Sequence, residues 1–182
     1  MSLLFAVQDQ FQHMECADAL VWQAVFTSEA SRFDDAVRAR LHHIHLVQRS
    51  FLAVWRGEFT EGDEPHIEAW FNRGTELQGR ELMEWGRDGH REIRQFLEGV
   101  TEDALARPVM LPWERMLAAS LGRNPAIPNL GETLFQVILH SMHHRGQVNT
   151  RLRELNVAPP LVDFIAWVWS GKPAAFWPEI QP

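Results

Sequence analysis

Apolar residues recur every three to four positions over long stretches of this sequence, which is the spacing of one face of an α-helix. The pattern predicts helices over about residues 3–27, 30–57, 65–99 and 131–155. The third contains four glycines and is expected to be kinked or split. A polar loop is predicted at 61–65. Four prolines between residues 105 and 130 exclude a long helix there, so we expect a crossover of short pieces. The chain is therefore predicted to be all-α.

The predicted helix at 131–155 has the clearest ends. Asn129 can cap its start, and Asn156 can adopt the left-handed conformation that often follows a helix. Two consecutive prolines, Pro159 and Pro160, prevent the helix from continuing. The aromatic C-terminal tail at 161–182 is expected to pack across the other helices.

Length and charge limit the classes of protein to consider. A chain of 182 residues with 46% apolar residues suits a single domain, taken as 1–182. The net charge is −7 and the arginines are interleaved with acidic residues, so no nucleic-acid partner is expected. No apolar run approaches the roughly 20 residues that span a bilayer. The single cysteine, Cys16, is interpreted as inert packing, and we expect a cytoplasmic protein.

Nine histidines are the most unusual feature of the composition, and six of them fall in two clusters, at 42–45 and 140–144. His140 and His144 are four residues apart on one side of the predicted helix, so both imidazoles can reach one metal ion. His143 points away from them. The alternative is that His140 and His144 are ordinary, partly buried histidines that form hydrogen bonds.

A third ligand could come from the predicted helix at 30–57. His43 and His45 lie on opposite flanks of its apolar face, and periodicity does not choose between them. Three imidazoles would leave a coordination position open and would suit Zn²⁺ or Ni²⁺, with Fe²⁺ or Mn²⁺ as further candidates. Candidate hydrogen-bond acceptors for the ligand rings are Glu15, Asp18 and Gln147. The isolated histidines, expected to be exposed, are His13, His66 and His90.

Three segments carry a family resemblance. The stretch His140–Gln147 resembles the H-x-x-x-H-R-G-Q signature of the DinB/YfiT-like superfamily of metalloenzymes. The stretch His43–Gly57 is similar to the second-helix pattern of that family, and Pro159–Ile165 resembles the segment that follows its last signature helix. The ungapped alignment of the second-helix pattern assigns His43 as the third ligand.

The resemblance implies a four-helix bundle with up-down-down-up connectivity, to which this chain adds short helices and its aromatic tail. It also implies one metal, commonly nickel or zinc, held by His43, His140 and His144, and often a homodimer. Some members are thiol-dependent S-transferases or isomerases that use bacillithiol, mycothiol or glutathione. We therefore expect a metal-dependent transferase that joins a low-molecular-weight thiol to a small electrophilic substrate.

Two alternatives remain open. One is a metal-dependent hydrolase, and the other is a non-catalytic, stress-related bundle in which the metal is structural or sensory. A structural site normally closes its fourth position with a protein ligand, and His45, His143 or a carboxylate could supply it. Arg145 could contact substrate, or it could be an ordinary ion-pair partner.

Overall fold

The structure is a computed structural model that describes residues 2–59 and 69–179, with the side chains of residues 115–117 and 119 excepted. The predicted polar loop at 61–65 and His66 lie outside the described residues. Helices make up most of the described chain, and an isolated bridge joins Pro108 to Asn129. The prediction of an all-α protein is confirmed.

Seven α-helices and one 3-10 turn follow one another in the described part of the chain. They are α1 (Leu3–Phe26), α2 (Glu29–Arg32), α3 (Asp35–Trp55), α4 (Gly79–Glu98), the 3-10 turn (Asp103–Ala106), α5 (Glu114–Leu121), α6 (Leu130–Glu154) and α7 (Phe164–Trp169). The 3-10 turn, α5 and the bridge form the predicted crossover of short pieces. No helix among the described residues is long and apolar enough to cross a membrane.

Glycines set the boundaries of α3 and α4. Gly57 has a φ of 71° just beyond the end of α3, Gly74 has a φ of 73° in the turn before α4, and Gly79, the first residue of α4, has a φ of 46°. Side chains other than glycine rarely adopt this left-handed conformation, so the backbone changes direction there. The predicted helix at 65–99 is accordingly interrupted, and its regular part begins at Gly79.

Local hydrogen bonds fix both ends of α6. The Asn129 side chain accepts a hydrogen bond from the Glu132 backbone N–H at 2.9 Å, and the Glu132 carboxylate accepts one from the Asn129 N–H at 2.7 Å. This reciprocal capping box satisfies backbone donors that a helix start leaves without partners. At the other end Asn156 has a φ of 59°, which confirms the predicted left-handed stop.

Two apolar layers show how the four long helices run. The first layer joins the start of α1 and α6 to the end of α3 and α4, and includes Val7, Phe11, Phe51, Trp55, Ile93, Leu97, Leu130 and Leu134. The second joins the end of α1 and α6 to the start of α3 and α4, and includes Val21, Trp22, Val37, Leu41, Leu82, Met83, Val148 and Leu152. Helices α1 and α6 therefore run one way and α3 and α4 the other, which is the up-down-down-up order.

The C-terminal segment packs across α1 and α4, as predicted. Trp167 of α7 is buried, and the backbone carbonyl of Phe176 accepts a hydrogen bond from the Gln23 side chain. Trp177 packs against the ring of His90 with ring centroids 5.6 Å apart. The tail thereby covers one side of the bundle between α1 and α4.

Candidate metal centre

Helices α3 and α6 pack against each other and bring three histidines together. The Nε2 atoms of His43 and His140 are 3.1 Å apart. The ring centroid of His144 lies 4.6 Å from that of His43 and 4.3 Å from that of His140. Each ring offers a nitrogen within 4.8 Å of those of the other two. The sequence pattern left His43 and His45 as alternatives, and the structure places His43 in this group.

The donor set suits a divalent transition metal. Zinc binds imidazole nitrogen at about 2.0–2.1 Å, so two ligands of a tetrahedral ion are about 3.3 Å apart. The 3.1 Å between the nitrogens of His43 and His140 is close to that spacing. The described residues place no fourth histidine, cysteine or carboxylate in the group. The group can therefore offer three nitrogen ligands and leave a position for another molecule.

The protonation of these rings also suits metal binding, because only a neutral imidazole can be a ligand. Burial, followed by the proximity of His144 and His43, lowers the pKa of His140 to about 4. Partial burial and the proximity of His144 likewise lower the pKa of His43. Both rings are therefore neutral near pH 7, and a metal would not have to displace a proton from them.

Gln147 orients the third ring. Its Oε1 atom lies 2.9 Å from Nδ1 of His144 and accepts a hydrogen bond when that nitrogen carries the proton. This tautomer leaves the lone pair of the other ring nitrogen, Nε2, available to a metal. The Gln147 amide nitrogen donates in turn to His143. Of the three candidate acceptors in the sequence, Gln147 is the one that contacts a histidine of this group, whereas Glu15 and Asp18 form bonds elsewhere.

A second polar cluster lies in the core between the four long helices. It is formed by Asp18, His45 and His90, which are at most 2% exposed. The Asp18 carboxylate accepts hydrogen bonds from His90 at 2.8 Å and from Gln48 at 2.8 Å. The expectation that His90 is exposed is wrong, because this contact with Asp18 lets the ring be buried.

The expectation that His13 is exposed is also wrong. Its side chain is 8% exposed, and Nε2 lies 3.0 Å from the backbone oxygen of Val162. The ring packs edge-on against Phe164 and also contacts Trp167, so the C-terminal segment covers it.

The Asp18 cluster is a hydrogen-bonded core network and is poorly suited to a cation. The guanidinium of Arg145 donates to the Asp18 carboxylate at 2.7 Å, and both side chains are almost fully buried. A metal ion there would lie beside this fixed positive charge. Burial raises the pKa of Asp18, but Arg145 and His90 outweigh it, so the carboxyl stays ionised well below its usual range. Two roles were considered for Arg145, contact with substrate and an ordinary ion pair, and the structure shows the ion pair.

His45 has both ring nitrogens occupied in this network. Nδ1 pairs with Oε1 of Gln48 at 3.0 Å, and Nε2 accepts a hydrogen bond from the indole of Trp22 at 3.0 Å. Burial lowers the pKa of His45 to about 4, which keeps the ring neutral. His45 therefore belongs to the core.

The sequence contained one signal of this network that periodicity could have revealed. Asp18 lies four residues after Met14 and three before Val21, on the stripe of α1 that faces the core. A charged residue on a buried stripe requires a partner of opposite charge, because an unpaired buried charge is strongly unfavourable. The partner, Arg145, is far along the chain, so the sequence did not identify it.

Cys16 has the properties of a packing residue. Its side chain is 6% exposed, and burial together with the nearby Glu15 raises the pKa of its thiol. A thiol with a raised pKa is a poor nucleophile at neutral pH. The interpretation of Cys16 as inert agrees with this environment.

The chain matches a known family model. The model for the DinB superfamily matches residues 7–148, which is most of the chain and covers most of α1, all of α3 and α4, and the three clustered histidines. No curated protein matches the chain.

Proposed function

Because the chain belongs to the DinB superfamily, we propose that it binds one divalent transition metal through His43, His140 and His144, most simply nickel or zinc. The observation that carries this proposal is that nitrogens from two adjacent long helices lie within 4.8 Å of one another. Packed helices hold ligands more rigidly than loops do. The lowered pKa values of His43 and His140 support the proposal, since both rings are unprotonated at neutral pH.

The reaction that we propose is transfer of a low-molecular-weight thiol to a small electrophile. A bound divalent metal would lower the pKa of a thiol, so that thiolate is available at neutral pH. The sulfur would form a bond to an electrophilic carbon, and the leaving group would depart with the electron pair of the broken bond. His43 is exposed, which gives a small molecule access from solvent, and Gln147 holds the ring of His144 in place.

A purely structural metal is the alternative that the geometry favours less. Such a site normally has four protein ligands. Among the described residues, His45 is engaged in the core network and the three-histidine group has no fourth member. A metal-dependent hydrolase is closer to the proposed transferase than a structural site is, because water could occupy the same open coordination position as a thiol.

Metal analysis of protein purified without a histidine tag or nickel column tests the metal site. We expect about one metal per chain in the wild type and loss of most of it in His144→Ala, because two imidazoles bind such metals much more weakly than three. His143→Ala is the matched control, since it removes a neighbouring histidine outside the group and should retain the metal. Equal metal content in all three proteins would contradict the assignment.

A second assay tests the reaction. The metal-loaded protein is mixed with 1-chloro-2,4-dinitrobenzene and each of glutathione, bacillithiol and mycothiol, and thioether formation is followed by absorbance. We expect thiol-dependent turnover that His144→Ala abolishes and His143→Ala retains. Ester hydrolysis without any thiol would support the hydrolase instead, and absence of both activities in the metal-loaded protein would favour a structural or sensory metal.

A further inference from the structure

A groove of about 560 Å³ lies between α1, α4 and the C-terminal tail, away from the α3–α6 contact that holds the three histidines. Its lining contains four cationic side chains and one anionic side chain. They are Arg87, Arg91, Arg94, Lys172 and Glu15. The net charge of the whole chain is −7, so this groove has the opposite sign to the molecule around it.

The cationic wall arises from the register of α4. Arg87, Arg91 and Arg94 are spaced by four and three residues, so they lie on one face of the helix. The acidic Glu92 lies on another face and bonds to Arg56, which follows the end of α3, at 2.8 Å. The arginines that are interleaved with acidic residues along the sequence are therefore gathered on one side once the helix forms. Interleaving with acidic residues along the sequence therefore does not prevent a local cluster of arginines on one face.

Acidic neighbours only partly neutralise the groove. Glu15 pairs with Arg94, and Asp88 pairs with Arg91 at 2.9 Å. Lys172 pairs with Asp9 on α1 at 2.6 Å. Arg87 forms no ion pair within residues 2–59 and 69–179. Three of the four cations thus have an acidic partner, and Arg87 supplies the one positive charge of the groove that remains in excess among these residues.

We propose that this groove binds a small organic polyanion that carries at least two phosphate or carboxylate groups. Guanidinium groups bind the paired oxygens of both groups in a two-pronged geometry, which favours such anions over a single chloride. The indole of Trp177 lines the groove and can cover an apolar part of the ligand. The volume lies within the roughly 300–1,000 Å³ that small-molecule sites occupy.

Isothermal titration calorimetry with two separate probes, fructose 1,6-bisphosphate and propane-1,2,3-tricarboxylate, tests the proposal and distinguishes phosphate from carboxylate ligands. We expect saturable binding of at least one probe, which weakens as salt is added. Arg87→Gln/Arg91→Gln should weaken it by about ten-fold or more. Arg40→Gln/Arg123→Gln removes the same charge outside the groove and should change the affinity by less than about two-fold.

The controls separate this site from the metal centre and from general charge. Both double variants keep His43, His140 and His144, so a probe that binds a metal there would bind both equally. Glu15→Gln removes the anionic residue of the groove and should tighten binding, which gives a test in the opposite direction. Failure of both probes to bind the wild type, or equal weakening by the two double variants, would overturn the proposal.

Discussion

Gly86 is the residue of α4 against which the buried ring of His45 packs. A Cβ atom built at Gly86 would lie 2.4 Å from Nε2 of His45. Real Cβ atoms do not approach a ring so closely, and the ring cannot move away because Trp22 and Gln48 hold both of its nitrogens. Glycine at this position is thus required by the Asp18 network.

We predict that Gly86→Ala destabilises the protein by about 1–3 kcal/mol, the usual cost of overpacking a core. Gly89→Ala, one turn along the same helix, is the matched control. Its Cβ would lie 3.3 Å from Nε of Arg49, a contact that a shift of a few tenths of an ångström relieves, so Gly89→Ala should cost less stability than Gly86→Ala. Urea unfolding followed by circular dichroism measures both. A Gly86→Ala protein as stable as Gly89→Ala would contradict the packing described for His45.

Sequence patterns predict the structural role of a residue well when that role depends on neighbours in the sequence, and poorly when it depends on residues far along the chain. Asn129 and Asn156 were predicted correctly because a helix cap depends on residues three or four positions away. The burial of His90 depends on Asp18, which is 72 residues distant, and the burial of His13 depends on Val162, which is 149 residues distant. No periodicity within one helix contains that information.

At the scale of elements, one ion pair ties together the two helices that carry the clustered histidines. Asp34 caps the start of α3 by accepting a hydrogen bond from the Val37 N–H at 2.9 Å, and it also pairs with Arg151 near the end of α6 at 2.8 Å. The same carboxylate thus caps α3 and also joins α3 to α6 through the ion pair with Arg151.

We predict that Asp34→Ala loses about 1 kcal/mol more stability than Asp34→Asn, because asparagine can still cap the helix whereas alanine cannot. Both variants lose the ion pair with Arg151. The comparison of the two therefore isolates the cap, and the comparison of Asp34→Asn with the wild type isolates the ion pair. Equal loss in both variants would show that the cap contributes nothing measurable.

The same carboxyl makes the stability depend on pH. The hydrogen bond from Arg151 has the largest effect on the pKa of Asp34 and lowers it. Burial opposes this effect and the hydrogen bond from the Val37 N–H adds to it, so the pKa lies below its ordinary value. As the pH falls, the unfolded chain therefore takes up a proton at Asp34 before the folded chain does. The stability that the ionised Asp34 contributes is complete above the ordinary pKa of about 4 and is lost as the pH falls below it.

We expect the free energy of unfolding of the wild type to fall more steeply than that of Asp34→Asn between about pH 5 and pH 3, where the carboxyl takes up its proton. Other carboxyl groups titrate in both proteins and cancel in the difference. Urea unfolding at several pH values measures it. Parallel curves for the two proteins would contradict the role assigned to the Asp34 carboxylate.

At the scale of the whole molecule, apolar spacing predicts the helical class and the family resemblance predicts the order of the helices. The split of the third predicted helix also agrees with the structure, because Gly74 and Gly79 adopt positive φ values there. The basic groove was missed, since it joins residues of α1, α4 and the tail that are separated by as much as 165 positions, from Gln12 to Trp177. A charge pattern along a chain does not reveal which charges share a surface.

The outer face of α6 carries an exposed apolar stripe that could form the interface of the homodimer that the family resemblance implies. Phe135, Leu139 and Met142 are spaced by four and three residues and are 36%, 54% and 57% exposed. Gly146 continues this stripe, and a Cβ atom there would meet nothing within 4 Å. A stripe of this kind on the face opposite the core is a candidate surface for another helix.

An antiparallel pairing of two copies of α6 about a two-fold axis near residues 142 and 143 is self-complementary. It places Leu139 of each chain opposite Gly146 of the other, where the absence of a side chain gives the leucine room. The same register places Glu132 opposite Arg153, so that opposite charges meet at both ends of the contact. Complementarity in both shape and charge favours a second copy of the chain as the occupant.

We therefore predict that the wild type has twice the 21.0 kDa mass of one chain in light scattering coupled to size-exclusion chromatography. Leu139→Glu should give the mass of one chain, because it buries two carboxylates in the middle of an apolar contact. Leu161→Glu is the matched control, since Leu161 is 70% exposed but lies outside α6. A monomeric wild type would contradict the dimer, and a dimer that survives Leu139→Glu would mean that the two copies meet through another surface.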